Sequence, residues 1–198
     1  VLKIGLTGGI GAGKSSAAKI LHDFGAVVFD ADAIVAELYV PGAPGARAVE
    51  RLFGSDVLDG GAVSKPALAK LAFGDAEARR RLEAAIHPLV IAEIRRRFAE
   101  AEHAGAAAAV AEASQLLEGG YRKEFDRVLL VVAPPPLRLE RAQARGLAPE
   151  EAERRIAAQM AEEEARPFAH DVVENAGTVE ELREKLGRLY RSWIEGVP

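Results

Sequence analysis

The spacing of apolar residues changes several times along the chain, and each change marks an element. Val1 to Leu6 is a short, mostly apolar run of strand length, whereas Ser15 to Phe24 carries apolar residues at helical spacing until Gly25 stops it. Ala26 to Phe29 is a second short apolar run, closed by Asp30-Ala31-Asp32. Ala33 to Tyr39 returns to the helical period, Pro41-Gly42-Ala43-Pro44-Gly45 breaks it, and Ala46 to Phe53 resumes it. From Ser64 to Ala104 the pattern is helical almost throughout. Ser64 is placed to cap a first helix, Asp75 a second, and Pro88 stands where a third would start. The block has no strand signal, so it reads as a helical insertion into a sheet domain.

Ala106 to Ala111, followed by Glu112, fits a buried strand with a carboxylate at its end, although alanine is a poor strand former. Val128 to Val132 is a much stronger buried strand. Pro134-Pro135-Pro136 then opens a helix that puts Arg138, Arg141 and Arg145 on one face, and Pro149-Glu150-Glu151 opens another expected to reach about Glu164. Asp171 to Asn175 reads as a last short strand and Ala176-Gly177-Thr178 as a turn. Thr178 with Glu181 makes a capping box for the final helix. That helix carries Leu182, Leu186, Leu189, Tyr190 and Trp193 as a stripe suited to core packing rather than to a cofactor. The alternation of strands and helices predicts an α/β fold.

The chemistry concentrates between the first strand and the first helix. Thr7-Gly8-Gly9-Ile10-Gly11-Ala12-Gly13-Lys14-Ser15 contains G-x-x-x-x-G-K-S, with Gly8, Gly13, Lys14 and Ser15 at the P-loop positions. Glycines let several backbone N–H groups approach a phosphate closely, Lys14 adds a point charge, and Ser15 can put its hydroxyl on magnesium. The following helix aims its positive end at the same anions. A Gly-rich turn joining two elements is the plainer alternative, but the flanking strand and helix are the context a phosphate loop requires. In an open parallel sheet, ligands gather beyond the carboxyl ends of the strands. Asp30 and Asp32 therefore face the phosphate side, one free to cap a helix while the other reaches the ligand. Glu112 suits an outer-shell magnesium role or is a surface glutamate. The arginine face either pairs with Glu140 and later glutamates or belongs to a mobile lid that brings charge onto a transferring phosphoryl group. His87 reads as a cap or packing residue, and the triplets Arg79 to Arg81 and Arg95 to Arg97 as solvated faces.

Composition narrows the partners. The 198 residues suit one domain with insertions, and 49% apolar with 28% charged residues argues against disorder. A net charge of -4 gives no general pull toward nucleic acid or anionic membrane, so local basic residues must hold any phosphate. Without cysteine, a disulfide framework and a thiolate metal site are excluded, and a reducing cytoplasm is compatible. No apolar stretch is long enough to span a membrane, and Lys3 with the glycine loop makes the apolar start a strand rather than a signal peptide. The expectation is a cytoplasmic protein, monomeric or weakly homo-oligomeric, with no nucleic-acid or membrane partner.

These residues resemble the dephospho-coenzyme A kinase family over nearly the whole length. The resemblance rests on Thr7 to Ser15, Asp30-Ala31-Asp32, Pro41-Gly42-Ala43-Pro44, His87-Pro88, Leu116-Leu117-Glu118 with Asp126, Arg141 with Arg145, Gln159, and Asn175 with Gly177. It implies ATP-dependent phosphorylation of the ribose 3′-hydroxyl of dephospho-coenzyme A, with magnesium. The fold it implies is a P-loop NTPase core with a five-stranded parallel sheet flanked by helices. Residues 1–55, 106–137 and 168–198 would form that core, 56–105 a helical substrate-binding insertion, and 138–167 a helical lid. By the same resemblance Asp32 is the catalytic base, and Gly9, Ile10, Gly11, Ala12, Gly13, Lys14, Ser15 and Ser16 cradle the ATP phosphates. Ser15 holds the metal, Arg141 is a catalytic lid arginine, Thr7 and His87 lie near the acceptor, and Asn175 with Gly177 borders the adenine.

Several positions depart from the family pattern. Ala36 stands where an arginine expected to hold substrate phosphate is usual, Ser114 and Gln115 replace a proline and an apolar residue, Gly146 replaces the aspartate after Arg145, and His170 replaces the aspartate after Ala169. Two alternatives therefore accompany the kinase reading: a P-loop kinase for another nucleoside or nucleotide, and a nucleotide-binding protein disabled as a catalyst. A GTPase is disfavoured, because no Asn-Lys-x-Asp sequence is present to read guanine.

Overall fold

The structure is a computed structural model that describes residues 1–72, 75–114 and 121–196. In chain order the strands are β1 (Leu2–Thr7), β2 (Val27–Asp30), β3 (Leu58–Asp59), β4 (Ala62–Val63), β5 (Ala108–Glu112), β6 (Arg127–Val132) and β7 (Asp171–Glu174). The helices are α1 (Lys14–Asp23), α2 (Ala31–Leu38), α3 (Pro44–Phe53), α4 (Lys65–Ala72), α5 (Ala76–His103), α6 (Pro135–Ala144), α7 (Pro149–Ala157), α8 (Glu162–Ala165) and α9 (Val179–Glu195). The chain divides into two compact units, Val1–Asp30 with Arg97–Pro198, and Ala31–Arg96.

The first unit is built on a five-stranded sheet ordered β2-β5-β1-β6-β7, with every pairing parallel. Parallel pairing sends all five carboxyl ends to one edge. Asp30 and Leu6 both pair with Glu112, Thr7 pairs with Leu130, and Val132 with Glu174. On one face Ile4, Leu6, Ala108, Val110, Leu129 and Val131 pack against apolar residues of α1 and α9. Leu182, Leu186, Tyr190 and Trp193 of α9 join that core as the stripe predicts, and the Thr178–Glu181 capping box starts the helix. Trp193 Nε1–H donates to Asp171 Oδ2 (3.1 Å) on β7. On the opposite face Leu130 and Val132 meet Ala165, while Phe98 of α5 lies edge-on to Phe29 and Phe125. β5 is confirmed as a strand despite its alanines: Ala108 to Ala111 are completely buried between two neighbours.

The second unit is helical, with one two-stranded antiparallel ribbon of β3 and β4 that the helical pattern does not predict. Gly60 and Gly61 turn it with φ of 57° and 83°, the geometry of a two-residue hairpin. Ser64 and Asp75 act as caps, receiving the amides of Ala67 and of Glu77 and Ala78. Pro88, in contrast, starts no helix; it lies inside α5. Proline removes one helical hydrogen bond at a cost of about 3 kcal/mol. Burial of Ile86, Val90 and Ile94, spaced four residues apart around it, offsets that loss. Arg81 caps this arrangement from outside, with Nη2 on Leu52 O (3.4 Å) and its guanidinium over Phe53. Among the described residues no helix is long and apolar enough to cross a membrane.

Candidate active site

The phosphate loop stands at the carboxyl edge of the sheet, between buried Thr7 at the end of β1 and Lys14 at the start of α1. Gly11 and Gly13 adopt φ of 75° and 103°, a region side chains avoid, which folds the loop back onto the helix axis. Gly13 is the N-cap of α1 and supplies no side-chain cap, and the N-terminal end of a helix suits an anion. Lys14 Nζ donates to Gly8 O (2.8 Å), which lays its stem along the loop. Ser15 Oγ donates to Glu112 Oε1 (3.1 Å), so the carboxylate at the end of β5 stands beside the hydroxyl of the loop serine.

Close packing explains each loop glycine. A Cβ on Gly8 would strike the backbone of Val131, and one on Gly13 the side-chain amide of Asn175. A Cβ on Gly9 would lie against the Arg138 guanidinium, 2.6 Å from Cζ, and one on Gly11 would lie 2.7 Å from Arg138 Cα. The loop is therefore shaped by protein neighbours on several sides.

Those neighbours are polar and well directed. Buried Asn175 donates through Nδ2 to Ala12 O (2.8 Å), while its own carbonyl accepts from Arg141 Nη1 (3.0 Å). The same Arg141 nitrogen reaches Gly11 O at 3.4 Å. Beside them opens a cleft of about 280 Å³ lined by Gly13, Ser16, Arg141, Asn175, Gly177 and Val179, among others. From the other side Arg138 Nε donates to Ile10 O (2.9 Å), and Ile10 N–H donates to Gln159 Oε1 (2.8 Å). Burial pulls the Arg138 guanidinium below its ordinary pKa and the Glu162 carboxylate pulls it back up.

Of the residues singled out from sequence, Thr7, the loop from Gly9 to Ser16, Arg141, Asn175 and Gly177 come together at this edge. Arg145 ends α6 exposed at its C-cap, and it lines the cleft rather than bonding the loop. Asp32, exposed in the first turn of α2, and His87, half-buried on α5, belong to the second unit. Ala36 is exposed on α2. Gln115 and Leu116-Leu117-Glu118 lie outside the described residues. Asp126 ties down the start of β1, accepting from Lys3 N–H at 2.8 Å. His170 takes over an acceptor's place: its Nδ1 receives Val128 N–H (2.8 Å), which puts any ring proton of the neutral form on Nε2. Two partnerships were not predicted: Gln159, quoted within the family resemblance without a role, accepts from the loop, and Glu112, read as an outer-shell magnesium candidate or a surface glutamate, accepts from Ser15. The expected helix from Pro149 to Glu164 hid the first, because α7 ends at Ala157 and a turn precedes α8. The second had a signal in its place at a strand's carboxyl end.

A parallel sheet with a Lys- and Ser-bearing glycine loop at its carboxyl edge, gripped by arginines from a following helical segment, defines a P-loop kinase fold. The sequence model described as dephospho-CoA kinase matches residues 2–181, and the chain belongs to that family. A curated relative, the dephospho-CoA kinase of Geobacter metallireducens, is 38% identical over 200 residues, covering 100% of both chains. Among solved structures, a Thermus thermophilus protein shares 37% identity with a TM-score of 0.78, covering 96% of this chain and 97% of its own. The dephospho-CoA kinase of Campylobacter jejuni shares the fold at a TM-score of 0.71 and 22% identity, covering 98% of each chain.

Proposed function

We propose that this chain transfers the terminal phosphoryl group of ATP to the ribose 3′-hydroxyl of dephospho-CoA, giving CoA and ADP in the cytoplasm. The convergence of Lys14, Arg141 and Asn175 on the backbone of one glycine loop carries the reading. Phosphoryl transfer is mainly positioning and charge stabilisation, and these groups supply both. The loop from Gly9 to Ser16 cradles the phosphates, Lys14 and Arg141 neutralise charge developing on the transferred group, and the cleft beside Asn175 and Gly177 receives the adenine. Asp32, two residues beyond the end of β2, takes the proton of the attacking hydroxyl. Thr7 and His87 border the acceptor. The helical block 56–105 is assigned to acceptor recognition and 138–167 to the lid. Hard oxygen donors suit magnesium, and Ser15 with Glu112 behind it would hold the ion, which supplies charge neutralisation on the phosphates.

One observation favours a second reading. Ala36 offers no cation where the family carries an arginine, as in a kinase whose acceptor differs or a nucleotide binder without transfer. The deciding experiment incubates the protein with magnesium, ATP and dephospho-CoA, with adenosine, AMP and no acceptor in parallel. Dephospho-CoA-dependent CoA and ADP formation is expected. ATP binding without transfer to any acceptor would overturn the proposal.

A further inference from the structure

Ile10 lies in the middle of the phosphate loop, and two side chains from beyond β6 hold both polar groups of its backbone. Its N–H donates to Gln159 Oε1 (2.8 Å) and its carbonyl accepts from Arg138 Nε (2.9 Å). Arg138 Nη2 donates to the same Gln159 oxygen (3.0 Å), which closes a ring of three hydrogen bonds around one residue. The approach is possible because Gly9 and Gly11 have no Cβ where Arg138 lies. Gln159 reaches in from the turn after α7, where its own N–H is held by Ile156 O (3.3 Å).

We propose that Gln159 and Arg138 are positioning residues, a clip that sets the phosphate loop in its binding shape before nucleotide arrives. Four of the six residues from Gly8 to Gly13 are glycine, so the loop has much conformational freedom to lose. Left unheld, it would lose that freedom on binding and weaken affinity accordingly; a loop fixed beforehand avoids the loss. The residue types suit the task. A neutral amide oxygen can accept from an N–H and a guanidinium together, and the guanidinium's fork spans Ile10 O and that oxygen. The clip assigns the Ile10 amide to the scaffold and leaves phosphate recognition to the other amides of the loop. Because α6 and the turn after α7 provide its two halves, movement of that segment and the shape of the loop are one event. The inference rests on reading the loop as a nucleotide site.

Gln159→Met removes the acceptor at nearly constant volume, whereas Gln159→Glu keeps an oxygen for both donors. Hydrogen exchange at the Ile10 amide in nucleotide-free protein, and calorimetric titration with MgADP and with AMP, distinguish them. Wild type and Gln159→Glu should protect the Ile10 amide. Gln159→Met should exchange it about tenfold faster and bind MgADP about tenfold more weakly, the order expected when a buried donor is left unpaired. AMP, which places nothing in the β-phosphate position, should bind all three alike. Unchanged exchange in Gln159→Met would overturn the clip, and faster exchange with unchanged MgADP affinity would overturn its part in binding. Wild type that binds no ADP would remove the nucleotide reading, while exchange at Ile10 would still decide whether the clip exists. Arg138→Met deletes the carbonyl half and serves as the second variant if Gln159→Met does not fold.

Discussion

Gly9→Ala offers a sharp perturbation of the loop because the backbone at Gly9 lies outside the left-handed range, so alanine meets no dihedral penalty there. The added methyl would collide with Arg138 Nη2 and stand 2.6 Å from its Cζ and 3.0 Å from Gln159 Oε1. The guanidinium is the flexible end of a long side chain and would swing away, giving up its bonds to Ile10 O and Gln159. Charged hydrogen bonds contribute about 1.5–3 kcal/mol each, and partial exposure reduces that, so a net loss of roughly 1–2 kcal/mol is expected. With Arg138→Ala already in place the collision disappears. Gly9→Ala should then be neutral or stabilising by about 0.4–1 kcal/mol through the unfolded chain. Urea unfolding of wild type, both single variants and the double variant measures the coupling, expected at about 1–3 kcal/mol. Equal costs of Gly9→Ala in the two backgrounds would refute the reasoning, since the space at Gly9 would then not be reserved for Arg138.

Asp32→Asn should lower turnover by at least about tenfold while ATP still binds, because a positioned base is typically worth about 10²- to 10⁴-fold; unchanged turnover removes Asp32 from that role. Arg141→Ala should reduce kcat by at least about tenfold while costing only roughly 1–2 kcal/mol of stability; a loss of folding that accounts for the whole effect would contradict a catalytic part. Glu112→Gln should raise the magnesium concentration for half-maximal turnover about tenfold, as expected for a group acting on a metal through Ser15; an unchanged requirement would make the Ser15 contact purely structural. Ala36→Arg should lower the acceptor's KM if the missing cation limits acceptor affinity, and an unchanged KM would sink that explanation.

The features legible in the sequence are those whose physics is local. The glycine loop, the Thr178–Glu181 box, the stripe on α9 and the caps Ser64 and Asp75 are each set by residues within a few positions of one another, and each appears as predicted. β5 reveals the limit of propensity: Ala108, Ala109 and Ala111 form a strand because β1 and β2 pair with both of its edges and packing leaves these alanines no exposure to water. Pro88 misleads for the same reason, since burial of Ile86, Val90 and Ile94 outweighs the lost backbone bond. The β3–β4 ribbon did have a signature in Gly60-Gly61, but two-residue strands are too short to show alternation. Partnerships across the loop were the least visible. No spacing rule connects Ile10 with Gln159 or Ser15 with Glu112, because the sheet and the turn after α7 bring them together.

The chain's single tryptophan, Trp193, gives one of the two units an optical label. Its indole is buried in the core between the sheet and α9 and tethered to β7 through Asp171, so its emission follows the docking of the last strand and helix. No tryptophan occurs between Ala31 and Arg96. A melt followed by intrinsic fluorescence therefore registers the sheet-bearing unit, whereas far-ultraviolet dichroism registers the helices of both. Comparing the two curves measures directly whether the units lose structure in one step or two.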